Sequence, residues 1–165
     1  MSYVKEEFTL TTYEKLLVDA ELSDITVIEN YDFSGTRFKG LYCDGVIALN
    51  RNIETEIEKK CVLAEEIGHH YTALGNILDQ TSVSNRKQEL HGRIYAYDKL
   101  VGLMGIVDAY KNHCTSISES AEFLDVTEEF LSDALTHYKN KYGRCVTIDN
   151  YVIFFEPNIA ILELI

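Results

Sequence analysis

The sequence predicts an α+β fold, mainly helical, in which a small antiparallel sheet packs on one central helix and a C-terminal helical pair and hairpin follow. Three observations carry this. β-Branched and aromatic runs separated by turn residues come early, at Ile25–Ile28 and on either side of Asp44-Gly45. A helical apolar period replaces them from Glu54 and recurs as far as Gly143. No internal repeat, low-complexity tract or proline-rich linker divides the chain, whose only proline is Pro157, so its parts are expected to pack as one unit.

Each element has a local reason. Thr11 or Thr12 is a candidate N-cap for a short amphipathic helix through Tyr13, Leu16, Leu17 and Ala20. Ile25 to Ile28 reads as a strand. The runs Phe38–Cys43 and Val46–Leu49 meet across Asp44-Gly45, a strong hairpin signal. A mostly antiparallel sheet of about three strands is therefore expected. From Glu54 to about Gly75 the apolar residues Ile57, Cys61 and Ala64 recur on one side of a helix. Asn76 to Asn85 is a polar connection. Arg86 to His113 carries a long helical pattern that Gly102 or Gly105 would break or bend. Ser116-Ile117-Ser118-Glu119 has the form of a capping box, Thr127 caps the next helix, and Gly143 ends it. Cys145–Ile148 and Tyr151–Phe155 predict a second hairpin, and the apolar tail from Ile159 to Ile165 is expected to pack on something.

At 165 residues the chain is long enough to bury one substantial core. Its net charge of -12 makes a field that repels phosphate backbones and anionic lipid, which argues against a nucleic-acid or membrane surface and for a protein partner. Cys43, Cys61, Cys114 and Cys145 lie far apart without C-x-x-C spacing, so reduced thiols are expected rather than a zinc knuckle or redox pair. Ser2–Glu7 lacks a basic start and apolar run, and no stretch approaches the ~20 residues of a membrane span, so a cytoplasmic location is expected.

The chemistry concentrates in Cys61-Val62-Leu63-Ala64-Glu65-Glu66-Ile67-Gly68-His69-His70-Tyr71, where four ionisable side chains interrupt an apolar helical run. Helical spacing puts Glu65 and His69 one turn apart on one face, with Glu66 beside them. In the zinc-hydrolase pattern H-E-x-x-H, two residues at i and i+4 hold the metal and the Glu after the first takes a proton from water. Here Glu65 stands where the first His would be, an admissible ligand because carboxylates bind zinc at similar distances. Taken alone, E-E-x-x-H is also the sequence of a paired, solvated helix face.

The surrounding blocks resemble the ImmA/IrrE family of metallopeptidases: Gly40-Leu41-Tyr42 through Ala48-Leu49-Asn50, then Ala64–Thr72, then Gln88-Glu89-Leu90-His91-Gly92-Arg93-Ile94-Tyr95-Ala96-Tyr97. The resemblance covers residues 13–105 and fades after Gly102. It implies a zincin-like minimal metallopeptidase core, a metallopeptidase-like unit over 1–113, and an added helix pair and hairpin over 114–165. It implies Glu65 and His69 as metal ligands, Glu66 as general base and Glu89 as third ligand. His91 is the rival third ligand, about 200° around the helix from Glu89. Glu89 is favoured because it shares the stripe of Ala96, seven residues on, and so faces the motif helix if Ala96 is the close contact.

The implied cofactor is one divalent metal, Zn²⁺ foremost, while two carboxylates and one imidazole form a harder set that also suits Mn²⁺ or Fe²⁺. His70 points about 100° away from His69 and is a candidate for a supporting or oxyanion role. Tyr71, Tyr95 and Tyr97 are expected in the core or the cleft wall, and His113 and His137 near helix ends. The helix pair around Leu124-Asp125-Val126 has helix-turn-helix spacing, but Glu128, Glu129 and Asp133 argue against phosphate contact. Two functions are expected from this. One is a peptidase that cleaves a protein partner, by resemblance a phage or mobile-element helix-turn-helix repressor. The other is a metal-free family member that binds such a partner without cutting it.

Overall fold

The structure, a computed structural model, describes residues 10–75 and 82–165, with the side chains of 73–75 and 82–88 outside that description. The chain is α+β, with six helices and two three-stranded sheets among the described residues. Helix α1 (Thr12–Leu22) starts at a complete capping box: Thr11 Oγ1 accepts from the Glu14 amide and Glu14 Oε2 accepts from the Thr11 amide. Strand β1 (Thr26–Tyr31) begins one residue later and runs longer than the β-branched run suggests. Ile25 is spent on the turn, its amide donating to Ala20 O, and the exposed polar Glu29 and Asn30 extend the strand without an apolar signal.

Strands β2 (Gly40–Cys43) and β3 (Val46–Asn50) form the expected hairpin, with Asp44 and Gly45 both at positive φ in the turn. The sheet is mixed rather than mostly antiparallel, because β1 pairs with β3 in parallel, Thr26 opposite Val46 and Ile28 opposite Ala48. Its order is β1-β3-β2, so the apolar β3 is central and β2 is an edge. This agrees with burial: Ile47, Ala48 and Leu49 are buried, as a central strand requires.

Helix α2 (Glu56–Gly75) starts after Thr55, whose hydroxyl accepts from the Glu58 amide, two residues later than the periodicity suggests. The long pattern that follows is two helices, α3 (Ser82–Leu100) and α4 (Gly102–Lys111), broken where Gly102 adopts φ +60. Gly105 does not break α4; it faces Leu124 across the packing. Ser82–Asn85, expected in the polar connection, are helical; with Val83 the only apolar residue of α3 before Leu90, there is no apolar period to read. The rest of that expected connection, Asn76–Thr81, lies outside the described residues.

Helices α5 (Ile117–Phe123) and α6 (Glu128–Tyr142) start at Ser116 and Thr127, each accepting from the amide three residues on. The Glu119 carboxylate reaches Thr115 instead of closing the box on Ser116. Gly143, at φ +76, ends α6. The second hairpin is β4 (Cys145–Ile148) with β5 (Tyr151–Phe154), and the apolar tail adds β6 (Ala160–Glu163) to β5 as a third antiparallel strand.

One core packs α1, β3, α2 and Ala96 of α3; the other packs α4, α5, α6 and β5 with Cys61 and Tyr97. Leu100 and Phe130 touch both, so the cores are contiguous. A polar tie crosses between them, because Lys60 of α2 is only 1% exposed and pairs with Asp125 in the α5–α6 turn. None of the described helices is long and apolar enough to cross a membrane.

Candidate metal centre

Where α2 and α3 cross, both helices carry glycine. A Cβ on Gly68 would lie 2.5 Å from Gly92 O, and a Cβ on Gly92 would lie 2.6 Å from His69 Cε1. A glycine inside a helix costs about 1 kcal/mol relative to alanine. Here its absent side chain lets the backbones meet and seats the His69 ring on α3.

That close approach brings Glu89 to the motif helix. The ligand atoms of Glu65, His69 and Glu89 all lie within 4.8 Å of one another, and His69 Nε2 is 3.9 Å from Glu89 Oε1. Bonds of about 2.0–2.2 Å to a tetrahedral zinc would place such atoms about 3.3–3.6 Å apart, so small side-chain movements suffice to close the set. The donor types also fit a divalent cation, one imidazole with two carboxylates. His91 is exposed and lies outside the cleft lining, so Glu89 is the residue that α3 brings to Glu65 and His69.

The three open into a cleft of ≈ 1160 Å³ whose other walls include β2 and α6. The Asn50 amide donates to Lys39 O, which sets the hydrogen-bonding phase of the hairpin. Residues 39, 41 and 43 therefore pair inward with β3, while the amides and carbonyls of Gly40 and Tyr42 turn to the open edge. Gly40 is small for a reason. A Cβ there would lie 2.6 Å from Val62 Cγ1 and 2.7 Å from Glu66 Oε1, so the edge strand rests directly on the Glu66 side chain.

Glu66 is 8% exposed. Burial, then the charges of Glu65 and Glu89, push its carboxyl up to about 8, against a hydrogen bond from the Tyr42 backbone. A divalent cation at the three neighbours would favour the ionised form. Glu66 is thus a proton-holding group beside the candidate ligands and on the cleft wall.

The structure separates His70 from this group. Its Nδ1 is 2.9 Å from the Tyr42 hydroxyl, its ring packs edge-on to Tyr42 and Tyr71, and it is not in the cleft lining. Tyr97 is buried, lines the cleft and packs edge-to-face on Phe130. Tyr95 is half-buried, and Tyr71 is exposed instead of lying in core or cleft wall, with its hydroxyl 2.7 Å from Ser23 Oγ. His113 follows α4 at positive φ, and His137 sits within α6 beside Tyr97 instead of near its end. Glu129 and Asp133 of α6 line the cleft.

Three contributors escaped the sequence reading. Gly40 and Gly92 are positioned against Glu66 and His69, and Arg93 donates through Nε to Glu65 Oε1 at 3.1 Å. The available signals were a glycine inside a helical period and an i, i+4 pairing of Glu89 with Arg93. The chain matches no family model, no curated protein and no solved structure.

Proposed function

We propose that this protein is a metal-dependent peptidase of the ImmA/IrrE kind, with a zincin-like core, that cleaves a protein partner, foremost a helix-turn-helix repressor of a phage or mobile element. One observation carries the reading: the buried Glu66 carboxyl rests against the edge strand β2 and lines the same cleft as a Glu65–His69–Glu89 group able to hold a divalent cation.

Glu65, His69 and Glu89 would hold the metal, Zn²⁺ foremost and Mn²⁺ or Fe²⁺ as harder alternatives. When bound, it would supply a Lewis acid that polarises the scissile carbonyl and makes water more acidic. The protein's own groups do the rest. The outward amide and carbonyl of Gly40 and the carbonyl of Tyr42 offer a template for an extended segment of the partner, added alongside β2, while the Tyr42 amide is engaged by Glu66. Glu66 takes the proton from the attacking water at its carboxylate and returns it to the leaving amine. Its burial against Gly40 fixes the carboxylate and keeps bulk water from it.

The test pairs metal content with hydrolysis. Protein purified without chelator is expected to carry one divalent metal, and Glu66→Gln to keep it and still bind the repressor while cleavage falls by about 10² to 10⁴. Equal cleavage by both would sink the peptidase reading, and metal loss in Glu66→Gln would make Glu66 a ligand.

A further inference from the structure

Resting on the metal reading just given, we propose that Arg93 is the positioning residue for Glu65, the ligand that stands where a His-rich site has its first imidazole. An imidazole offers its lone pair along one direction fixed by a planar ring. A glutamate ligand has three rotatable bonds and two oxygens, so ordering it costs side-chain entropy unless another group holds it. Arg93 does this from the facing helix: its Nε donates to Glu65 Oε1 at 3.1 Å.

The form of the contact separates holding from competition. A guanidinium that took the cation's place would be expected to engage both carboxylate oxygens through its fork. Here Oε1 alone receives a described hydrogen bond from Arg93, so the guanidinium occupies one carboxylate oxygen and the other remains available to a cation. The contact is also part of a larger arrangement. Residues 89, 92 and 93 share one face of α3, and each addresses one member of the site: Glu89 is itself a ligand, Gly92 seats the His69 ring, and Arg93 grips Glu65. The guanidinium also sits in the field of both carboxylate ligands, Glu65 first and Glu89 more weakly.

The experiment is a double-mutant cycle read by Zn²⁺ titration calorimetry on the metal-stripped full chain, with variants Arg93→Gln, Glu65→Gln and both together. Arg93→Gln is expected to weaken Zn²⁺ binding by about 10- to 100-fold, the usual effect of losing a group that orients a ligand. In the Glu65→Gln background the same change is expected to alter affinity less than about threefold, because the neutral amide that remains is a poor ligand and carries no charge for the guanidinium to hold. The melting temperature of the metal-stripped Arg93→Gln protein is expected to stay within about 2 °C of wild type, since the ion pair is half-exposed. Unchanged or tighter Zn²⁺ binding by Arg93→Gln overturns the proposal while leaving the metal site standing. An equal loss in both backgrounds also overturns it, by showing that Arg93 acts through the helix and not through Glu65. Wild-type protein that binds no Zn²⁺ removes the metal reading and this proposal together.

Discussion

Gly92 of α3 lies directly against the imidazole of His69 on α2, so closely that a Cβ at position 92 would stand 2.6 Å from Cε1 and 2.7 Å from Nδ1. No side chain fits there. The two residues therefore define both the helix crossing and the aim of His69 toward Glu89.

Gly92→Ala sets two effects against each other. Alanine would favour the helix by about 1 kcal/mol, but its methyl must displace a ring held between two helices. The expected result is at least tenfold weaker Zn²⁺ binding, with a melting temperature that falls or holds rather than rises. A rise in melting temperature with unchanged Zn²⁺ affinity would show that the ring can move aside freely.

The choice of third ligand is tested by glutamine substitutions on α3. Glu89 lies within the group of three, whereas His91 is exposed and outside the cleft lining. Glu89→Gln is expected to lower metal occupancy strongly and His91→Gln to leave it unchanged, read by metal analysis of the purified proteins. His69→Ala is expected to abolish occupancy while the far-ultraviolet circular dichroism stays native. The reverse order for Glu89 and His91 would mean that α3 is rotated in solution.

Lys60 and Asp125 join the two cores, and their substitutions should differ in size. Lys60 is buried while Asp125 is half-exposed. Asp125→Asn keeps a residue that tolerates the positive φ of this turn, but strands a buried ammonium without its counter-ion. It is expected to destabilise by about 1–3 kcal/mol, below the 3–5 typical of breaking a fully buried pair because water reaches the aspartate side. Lys60→Met removes the charge and keeps the length, so it should cost less than Asp125→Asn in urea unfolding. Equal costs would assign the effect to packing.

What the sequence disclosed follows from which interactions are local. Caps and turns were legible because Thr11 with Glu14, Thr127 with Phe130, and Asp44-Gly45 act within a few residues. The spacing of Glu65, Glu66 and His69 on one helix was legible for the same reason. Parallel pairing of β1 with β3 was not, since nothing in either strand says which way its neighbour runs. The placement of His70 against Tyr42 depends on how the hairpin lies across α2, again a non-local fact. Gly40 and Gly92 act through a missing side chain, and only the neighbouring atoms reveal what would have filled the space.

Glu66 links the site to stability, and the sign can be worked out. Its folded-state pKa, about 8, lies above the ordinary value of 4.5, with burial as the main cause and Glu65 and Glu89 next. Between those values the folded chain holds a proton that the unfolded chain has lost. Stability must therefore fall as pH rises from about 4.5 to about 8, and flatten above that. Each pKa unit corresponds to about 1.4 kcal/mol, so the total penalty is on the order of a few kcal/mol. Glu66→Gln carries no charge at any pH and keeps an acceptor for the Tyr42 amide. In the presence of a chelator, its melting temperature is expected to match wild type near pH 4.5 and to exceed it by about 5 °C or more at pH 8, given roughly 2–4 °C per kcal/mol at this chain length. Saturating Zn²⁺ should shrink the gap at pH 8, because the cation favours the ionised carboxylate of the wild type. A melting difference that is flat from pH 4.5 to 8 would mean that water solvates this carboxylate, leaving Glu66 without the protected position its role as base requires.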